Sequence, residues 1–356
     1  MFVALRDLRF ARGRFVLIGS VVALITVLVG FLSGLTGGLA MQSISGILAI
    51  PADRIVFAAP EKGSDGVGFA DSALTPQQAS GWASFDGVTS VEPIGISQTR
   101  AQSGDTHAAV AVFGVRPGFS DTSPSTNGLL GLSTPAADEL GASAGDTVTI
   151  AGATYRVETV AGDAWYSHTP VIEMTLHDWQ AYSAATGNPD VYATVLAVNG
   201  TPDWSGADAE NSTTSETTLA SLTALSAFRS EIGSLLMMIG MLFGISGLVV
   251  GAFFTVWTMQ RKSDVAVLKA LGASTASLVR DALGQAGIVL AVGVGLGLGL
   301  VMLFGAIAPA SLPFMLSPLT TLLPAVIMIG LGLAGAVFAL RSVTSADPLT
   351  ALGSNR

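Results

Sequence analysis

The sequence contains no cysteine. That excludes disulfides, cysteine-ligated metal centres and thiol chemistry, so packing and hydrogen bonds alone must hold the fold. Charge is nearly as scarce. Only 12% of the 356 residues are charged, against about a quarter in a typical soluble domain. No GxxxxGK[ST] phosphate loop is present: Lys262 and Lys269 follow no glycine loop, and "PEKGSDG" around Lys62 has the wrong order. Any ATP-driven work therefore needs a nucleotide-binding partner chain. There is no nucleophile elbow, no zincin motif and no His/Asp/Glu cluster at metal spacing. No catalytic residue and no resident metal or cofactor is expected.

What remains is apolar. Half of the chain is hydrophobic and the mean hydropathy is +0.61, the composition of an integral membrane protein. Four stretches exceed the roughly 20 apolar residues that a membrane-crossing helix needs. They are placed at residues 15–41, 217–260 (with an outer stalk), 281–308 and 319–341. The first is too long for the 7–15-residue core of a cleaved signal peptide, so it reads as a retained anchor.

The sparse charges orient these segments. Arg6, Arg9, Arg12 and Arg14 precede the first; Arg261, Lys262, Lys269 and Arg280 lie between the second and third; Arg341 and Arg356 follow the fourth. Four crossings bring all three groups to one face, which the positive-inside rule makes cytoplasmic. Residues 42–231 hold 21 of the 25 acidic residues but only six of the 16 basic ones. They form the outside domain. The expected fold is thus membrane α-helical with four transmembrane helices, and an α+β extracytoplasmic domain (42–216) inserted between helices 1 and 2. Residues 1–14, 261–280 and 342–356 are cytoplasmic.

Within the outside domain, short β-type runs such as "DTVTIAGATYRVETV" alternate with two helical patterns. One of these opens with Thr75 as N-cap and Pro76 in the first turn. The hairpin turn of the β-type run falls near Gly152. Residues 203–218, polar and acidic, read as a hydrated linker. Leu219, Leu222, Leu225 and Phe228 then read as a helical stalk continuing into the second span. Of the three histidines, His107, His168 and His177, His168 sits beside Trp165 and Tyr166 in "DAWYSHTPV". It fits either an aromatic-packed turn or a ligand for a passing substrate.

The spans carry glycines four apart: Gly30, Gly34 and Gly38 in the first, with pairs 240/244, 247/251, 293/297 and 295/299 later. Such spacing lets helix backbones approach closely. Gly37–Gly38 is the natural place for a bend, making Gly30, Gly34, Gly37 and Gly38 candidate hinge residues. Four spans are few for a self-contained transporter, so a homodimer supplying eight is expected.

Between the second and third spans, "RKSDVAVLKALGAS" (261–274) reads as a short amphipathic helix. Val265, Leu268 and Leu271 share one face, and Gly272 ends it. This stretch resembles the cytoplasmic coupling loop of the FtsX/MacB-type ABC permeases. The closing "SADPLTAL" (345–352), the basic opening "ALRDLRFARGRF" (4–15) and "LSTPAADELGASAGDTVTIAGATYRVETVAG" (132–162) resemble other elements of the same family, as does the order of one span, a large outer domain and three spans. The resemblance implies a non-catalytic permease homodimer, lodged in the plasma membrane and its lipid and driven by two copies of a separate ATPase subunit that binds ATP. It further implies mechanotransmission to the outer domain rather than passage of cargo through a channel. Residues Arg261, Lys262, Asp264, Val265, Leu268, Lys269, Leu271 and Gly272 then fall in or beside the ATPase-docking helix. No nucleic-acid partner is implied.

"DAWYSHTPVIEMTLHDWQAY" (163–182) resembles the haem-exporting HrtB-type branch, which implies haem efflux and detoxification. Haem is an apolar plate with two carboxylates and an iron that accepts Met, His, Tyr or carboxylate ligands. Candidate contacts near the outer leaflet are Met41, Phe228, Arg229, Glu231, Met237 and Met238. Arg229 would meet a propionate, and Glu231 or a methionine the iron. The alternatives are methionines that merely fill gaps and ordinary interfacial charges. Competing functions are export of an antimicrobial peptide or lipid-linked cargo, or a membrane scaffold regulating a cell-wall hydrolase.

Overall fold

The computed structural model describes residues 12–60, 66–260, 267, 271–308 and 312–344. The chain forms two compact units: Leu39–Gly233, and Met1–Gly38 together with Ser234–Arg356. The first helix, α1 (Arg12–Leu48), is 37 residues long and runs unbroken through Gly37–Gly38. It ends seven residues beyond the expected boundary at 41. Gln42, Ser43 and Ser45 look like the end of an apolar segment, yet Ile44 and Ile47 on the same turns are buried in the core of the outer unit.

The outer unit contains β1 (Arg54–Ala58), α2 (Pro76–Ser84), β2 (Val88–Ser103), β3 (Thr106–Val115), β4 (Leu129–Leu132), α3 (Thr134–Leu140), β5 (Thr147–Ile150), β6 (Ala153–Val160), β7 (Trp165–Tyr166), β8 (Thr169–Thr175), α4 (Leu176–Ala185), β9 (Val195–Gly200), α5 (Trp204–Asn211), β10 (Thr213–Thr217) and the single turn α6 (Thr218–Ser221). The strands run in the order β10-β1-β9-β2-β3-β8-β4-β6-β5, with β7 on β8 and a further pairing of β2 with β5. That last pairing closes β2-β3-β8-β4-β6-β5 into a ring. Strand β2 is 16 residues long and serves both parts: residues 88–94 pair with β9, and residues 95–103 pair with β3.

Local chemistry explains these elements. Thr75 and Gln78 form a reciprocal capping box at the start of α2, with Pro76 in the first turn. Ser133 caps α3, and Gly141 closes it at φ 60°. The β5–β6 turn places Ala151 and Gly152 at φ 48° and 84°, the primed geometry that suits a two-residue hairpin. The ring encloses Val110, Val112, Leu130, Leu132, Val148 and Ile172. In the four-stranded part, side chains alternate between faces. Val56, Leu196 and Val198 pack with Trp82 and Ala207 under α2 and α5. Ile55, Phe57, Val195 and Ala197 face the opposite way, towards Ile44, Ile47, Leu222 and Leu225.

Two expectations are corrected here. Residues 203–218 are no linker, because they build α5 and the edge strand β10, which pairs with β1 over five residues. The Asp208 carboxylate organises them by accepting from the Thr213 hydroxyl and from the Ser215 amide and hydroxyl. Nor does a stalk helix begin at Thr217. The chain passes through α6 and a 3-10 turn (Leu222–Ala224), becomes extended at Leu225, and turns helical again only at Ser226. The leucine spacing arises because Leu222 and Leu225 are anchored in the outer core.

The remaining helices are α7 (Ser226–Gln260), α8 (Thr275–Ile307) and α9 (Pro318–Thr344). With α1 they make four helices long and apolar enough to cross a membrane. In the membrane unit, Gly293 and Gly297 of α8 admit Val22 and Thr26 of α1, and Gly30 admits Val301. A Cβ on Gly335 would stand 2.9 Å from the Gly251 Cα, so α7 and α9 touch backbone to backbone. The four glycines expected as hinges are closely packed: Gly30 by Val301, Gly34 by Phe314, Gly37 by Thr320 and Gly38 by the Pro313 carbonyl. By contrast, Gly240, Gly244, Gly295 and Gly299 have open space beside them.

Candidate functional site

The outer unit brings three polar side chains to one point. The two-residue turn between β7 and β8 carries Ser167 and His168, at φ 49° and 62°. The His168 imidazole Nε2 lies 2.8 Å from Glu231 Oε2 and 3.0 Å from Ser43 Oγ. Ser43 sits near the end of α1, and Glu231 in the second turn of α7. An Nε2–H donating to the carboxylate, with the serine oxygen as a second acceptor, accounts for both distances. A ring N–H to a carboxylate is a charge-assisted bond, stronger than a neutral one.

Of the expected haem contacts, Met41, Phe228, Arg229 and Glu231 belong to the outer unit. Met41 is one residue before Gln42, whose carbonyl accepts from the His168 amide at 3.0 Å. Phe228 packs partly buried against the outer core. Arg229 is exposed and makes no ion pair among the described residues. Met237 and Met238 lie on α7 in the membrane unit and are exposed. Among the described residues no group of three or more His, Asp or Glu side chains could hold a metal ion.

The sequence singled out His168 and Glu231 separately. Their pairing, and the part of Ser43, went unseen because 63 and 125 residues separate His168 from these partners. The only local signal was an aromatic pair followed by two residues and Thr-Pro, which is a hairpin with a short turn. His107 lies on β3 opposite Gln102, and His177 contacts Asn127 and Asp178; neither approaches this point.

Most of the expected docking stretch, namely Arg261, Lys262, Asp264, Val265, Leu268 and Lys269, falls outside the described residues, as do residues 4–11 of the basic opening and the closing "SADPLTAL". Of the rest, Leu271 is 79% exposed, and its amide donates to the Val267 carbonyl as in a helical turn. Gly272 follows at φ 92°, the left-handed position at which a helix stops.

A second buried polar group is Glu173 on β8, 8% exposed. Its Oε2 accepts from the Ser120 hydroxyl at 2.6 Å. Burial raises its pKa, and the Ser120 and Thr122 hydrogen bonds oppose that rise only in part. The folded state therefore binds this proton more tightly than the unfolded chain. Its favourable contribution is present at low pH and is lost as pH rises through the folded pKa. Glu173→Gln keeps an acceptor for Ser120 without the buried charge. It is expected to melt higher than the parent at neutral pH, by about 2–4 °C for each kcal/mol relieved, with the difference vanishing in acid. Thermal scans from pH 4 to 8 check this; a lower melting point for the variant at pH 7 would refute it.

Residues 236–348 match the FtsX-like permease C-terminal family. The chain is 29% identical over 216 residues to a protein of Staphylococcus haemolyticus named as a candidate hemin transport system permease, HrtB; that match spans 59% of each chain. It is 24% identical over the whole length of the protein of the same name from Staphylococcus epidermidis. Among solved structures, the periplasmic region of MacB from Actinobacillus actinomycetemcomitans aligns with 49% of this chain and 93% of its own, at 12% identity and a TM-score of 0.36. Residues 236–348 thus carry the pattern of an FtsX-like permease, and the four long apolar helices make the chain a multi-pass membrane protein. Within that type it is similar to the HrtB permeases.

Proposed function

We propose that this chain is the membrane subunit of a haem efflux transporter. It takes haem from the outer leaflet as a homodimer and is driven by two copies of a separate ATPase. The chain has no catalytic step of its own; closure of the ATPase pair is transmitted through residues 261–280 and the membrane helices to the outer unit. The observation that carries this reading is the placement of Glu231. It is an acidic side chain held in a defined position at the start of an apolar helix, next to the methionine-bearing end of α1. A carboxylate and a thioether are both ligand types for haem iron. The likeness to permeases named for hemin transport, over the full length in one case, supports the same cargo. Arg229, exposed in the first turn of α7, offers a cation to a propionate, and Phe228 an aromatic face.

Titration of the purified full chain with hemin, followed at the Soret band, tests this. Saturable binding is expected, weakened roughly 10–100-fold by Glu231→Ala, with loss of one ligand's signature from the spectrum. An unsaturable Soret response in the parent would end the haem reading. Export of a peptide or lipid-linked cargo, or control of a hydrolase, would then take its place.

A further inference from the structure

The hairpin tip that carries His168 is built against local preference. Both central residues of a type I′ two-residue turn need positive φ, which Asn and Gly adopt readily. Here Ser167 and His168 adopt it instead. Non-glycine residues stay in that region only when their surroundings over-determine them. Those surroundings are specific. The Ser167 and His168 amides donate to the Ser43 and Gln42 carbonyls at 2.9 and 3.0 Å. The Trp165 amide donates to Ser45 Oγ at 2.9 Å. Gly46 makes room for the hairpin: a Cβ there would stand 2.9 Å from the Trp165 carbonyl oxygen. Tyr166 is buried edge-on against Phe69 and Phe113. The Gln98 side-chain Nε2–H donates to Thr169 Oγ1 at 3.0 Å.

Every residue of the tip is thus tied to the end of α1, to β2 or to the core. The one side chain left to reach outward, His168, is delivered to Glu231. A simple connection between β7 and β8 would not require two left-handed non-glycine residues. Their presence is accounted for by the aim they give the imidazole.

We propose that His168 is the positioning residue for Glu231. Its imidazole clamps the start of α7 to the end of α1, fixes the carboxylate, and yields it when a ligand draws on the same negative charge. This deepens the reading of Glu231 as a haem-binding carboxylate and rests on it for the identity of the ligand. It also gives cargo capture a first structural consequence. Charge taken up by iron is charge no longer available to the Nε2–H, so the bond that holds the hairpin tip to α7 weakens on binding.

The experiment uses the full chain in detergent, with hemin as the probe and amide hydrogen exchange of residues 163–169 as the readout. Without hemin, Glu231→Ala is expected to speed exchange at the Ser167 and His168 amides about tenfold. His168→Leu should do the same, and the double variant should go no further than either, as for two groups joined in one interaction. His168→Gln keeps an N–H donor at the end of the side chain and is expected to restore most of the protection. Peptides of β6 serve as the unmoved reference. An unchanged hairpin in Glu231→Ala, or additive effects in the double variant, would overturn the clamp. In the second arm, hemin added to the parent should speed hairpin exchange and leave Glu231→Ala unaffected, and His168→Leu should shift the Soret maximum of the bound hemin. Hemin binding with no change in hairpin exchange would overturn the release step. Failure of the parent to bind hemin would remove the haem reading and the release step together, while the first arm still decides the clamp on its own.

Discussion

Replacing Trp179 with alanine is expected to destabilise the outer unit by about 3–5 kcal/mol, the usual cost of deleting a large buried aromatic side chain. The reason lies in what the indole covers. Trp179, on α4, is 2% exposed and lies across Gly95 and Gly114. Those two glycines are direct register partners on β2 and β3, and a Cβ on either would fall inside the space the indole occupies. Together they form a flat floor, and the atoms nearest to it on both glycines belong to Trp179. The indole N–H donates to Ser97 Oγ at 3.0 Å, so truncation also strips a partly buried hydroxyl of its partner. Two backbone stretches without side chains cannot collapse into the void, which places the cost at the upper end. A melting curve of the solubilised full chain measures it; a loss below about 1 kcal/mol would mean the site relaxes and the floor is no constraint.

The second large effect is functional. Leu271→Asp is expected to abolish association with the ATPase subunit while leaving the melting temperature of the permease unchanged. Leu271 is 79% exposed and Val267, one turn earlier, is 58% exposed. An apolar pair this exposed packs little against the described residues, so a charge placed there is expected to act on a partner. Burying an unpaired carboxylate in an apolar interface costs several kcal/mol, enough to convert tight association into none at working concentrations. Co-purification of the tagged permease with its ATPase subunit reads the result directly. Retention of the ATPase at parental levels would remove this turn from the docking surface and, with it, the proposed route by which nucleotide closure reaches the membrane helices.

Much of the architecture was legible in the sequence because it is written in local composition. Four apolar runs, and the gathering of arginine and lysine between them, specify the spans and their direction without any long-range information. The cap at Thr75 and the turn at Gly152 are likewise local signals. The errors fall where the partner is far away in sequence. β10 is five residues of threonine, serine and glutamate that look like linker, and only β1, some 160 positions earlier, makes them a strand. Leu222 and Leu225 carry a helical spacing but are anchored in the outer core, and they bring the chain down in a broken turn rather than a stalk. The glycines illustrate the same limit: their spacing announces close approach, yet only the packed structure separates Gly293 and Gly297, which meet α1, from Gly295 and Gly299, which meet none of the described residues. The candidate site was half legible. Glu231 and His168 each drew notice as a residue type in a suggestive place, but the contact between them depends on a hairpin tip pinned to the end of α1.

Strand β2 has a consequence for how this outer unit can diverge. Its 16 residues supply one edge of the four-stranded part and one wall of the ring, so a single pleat sets which side chains face inward in both. An insertion or deletion of one residue in its middle would turn every downstream side chain to the opposite face, setting Ala101 outward while Ile94 stayed in place. The register shift in its pairing with β9 lies at its very beginning, between Val88 and Ser90, so the rest of the strand runs on from it in one continuous pleat. A one-residue insertion is therefore expected to cost far more along β2 than in an exposed connection of the outer unit.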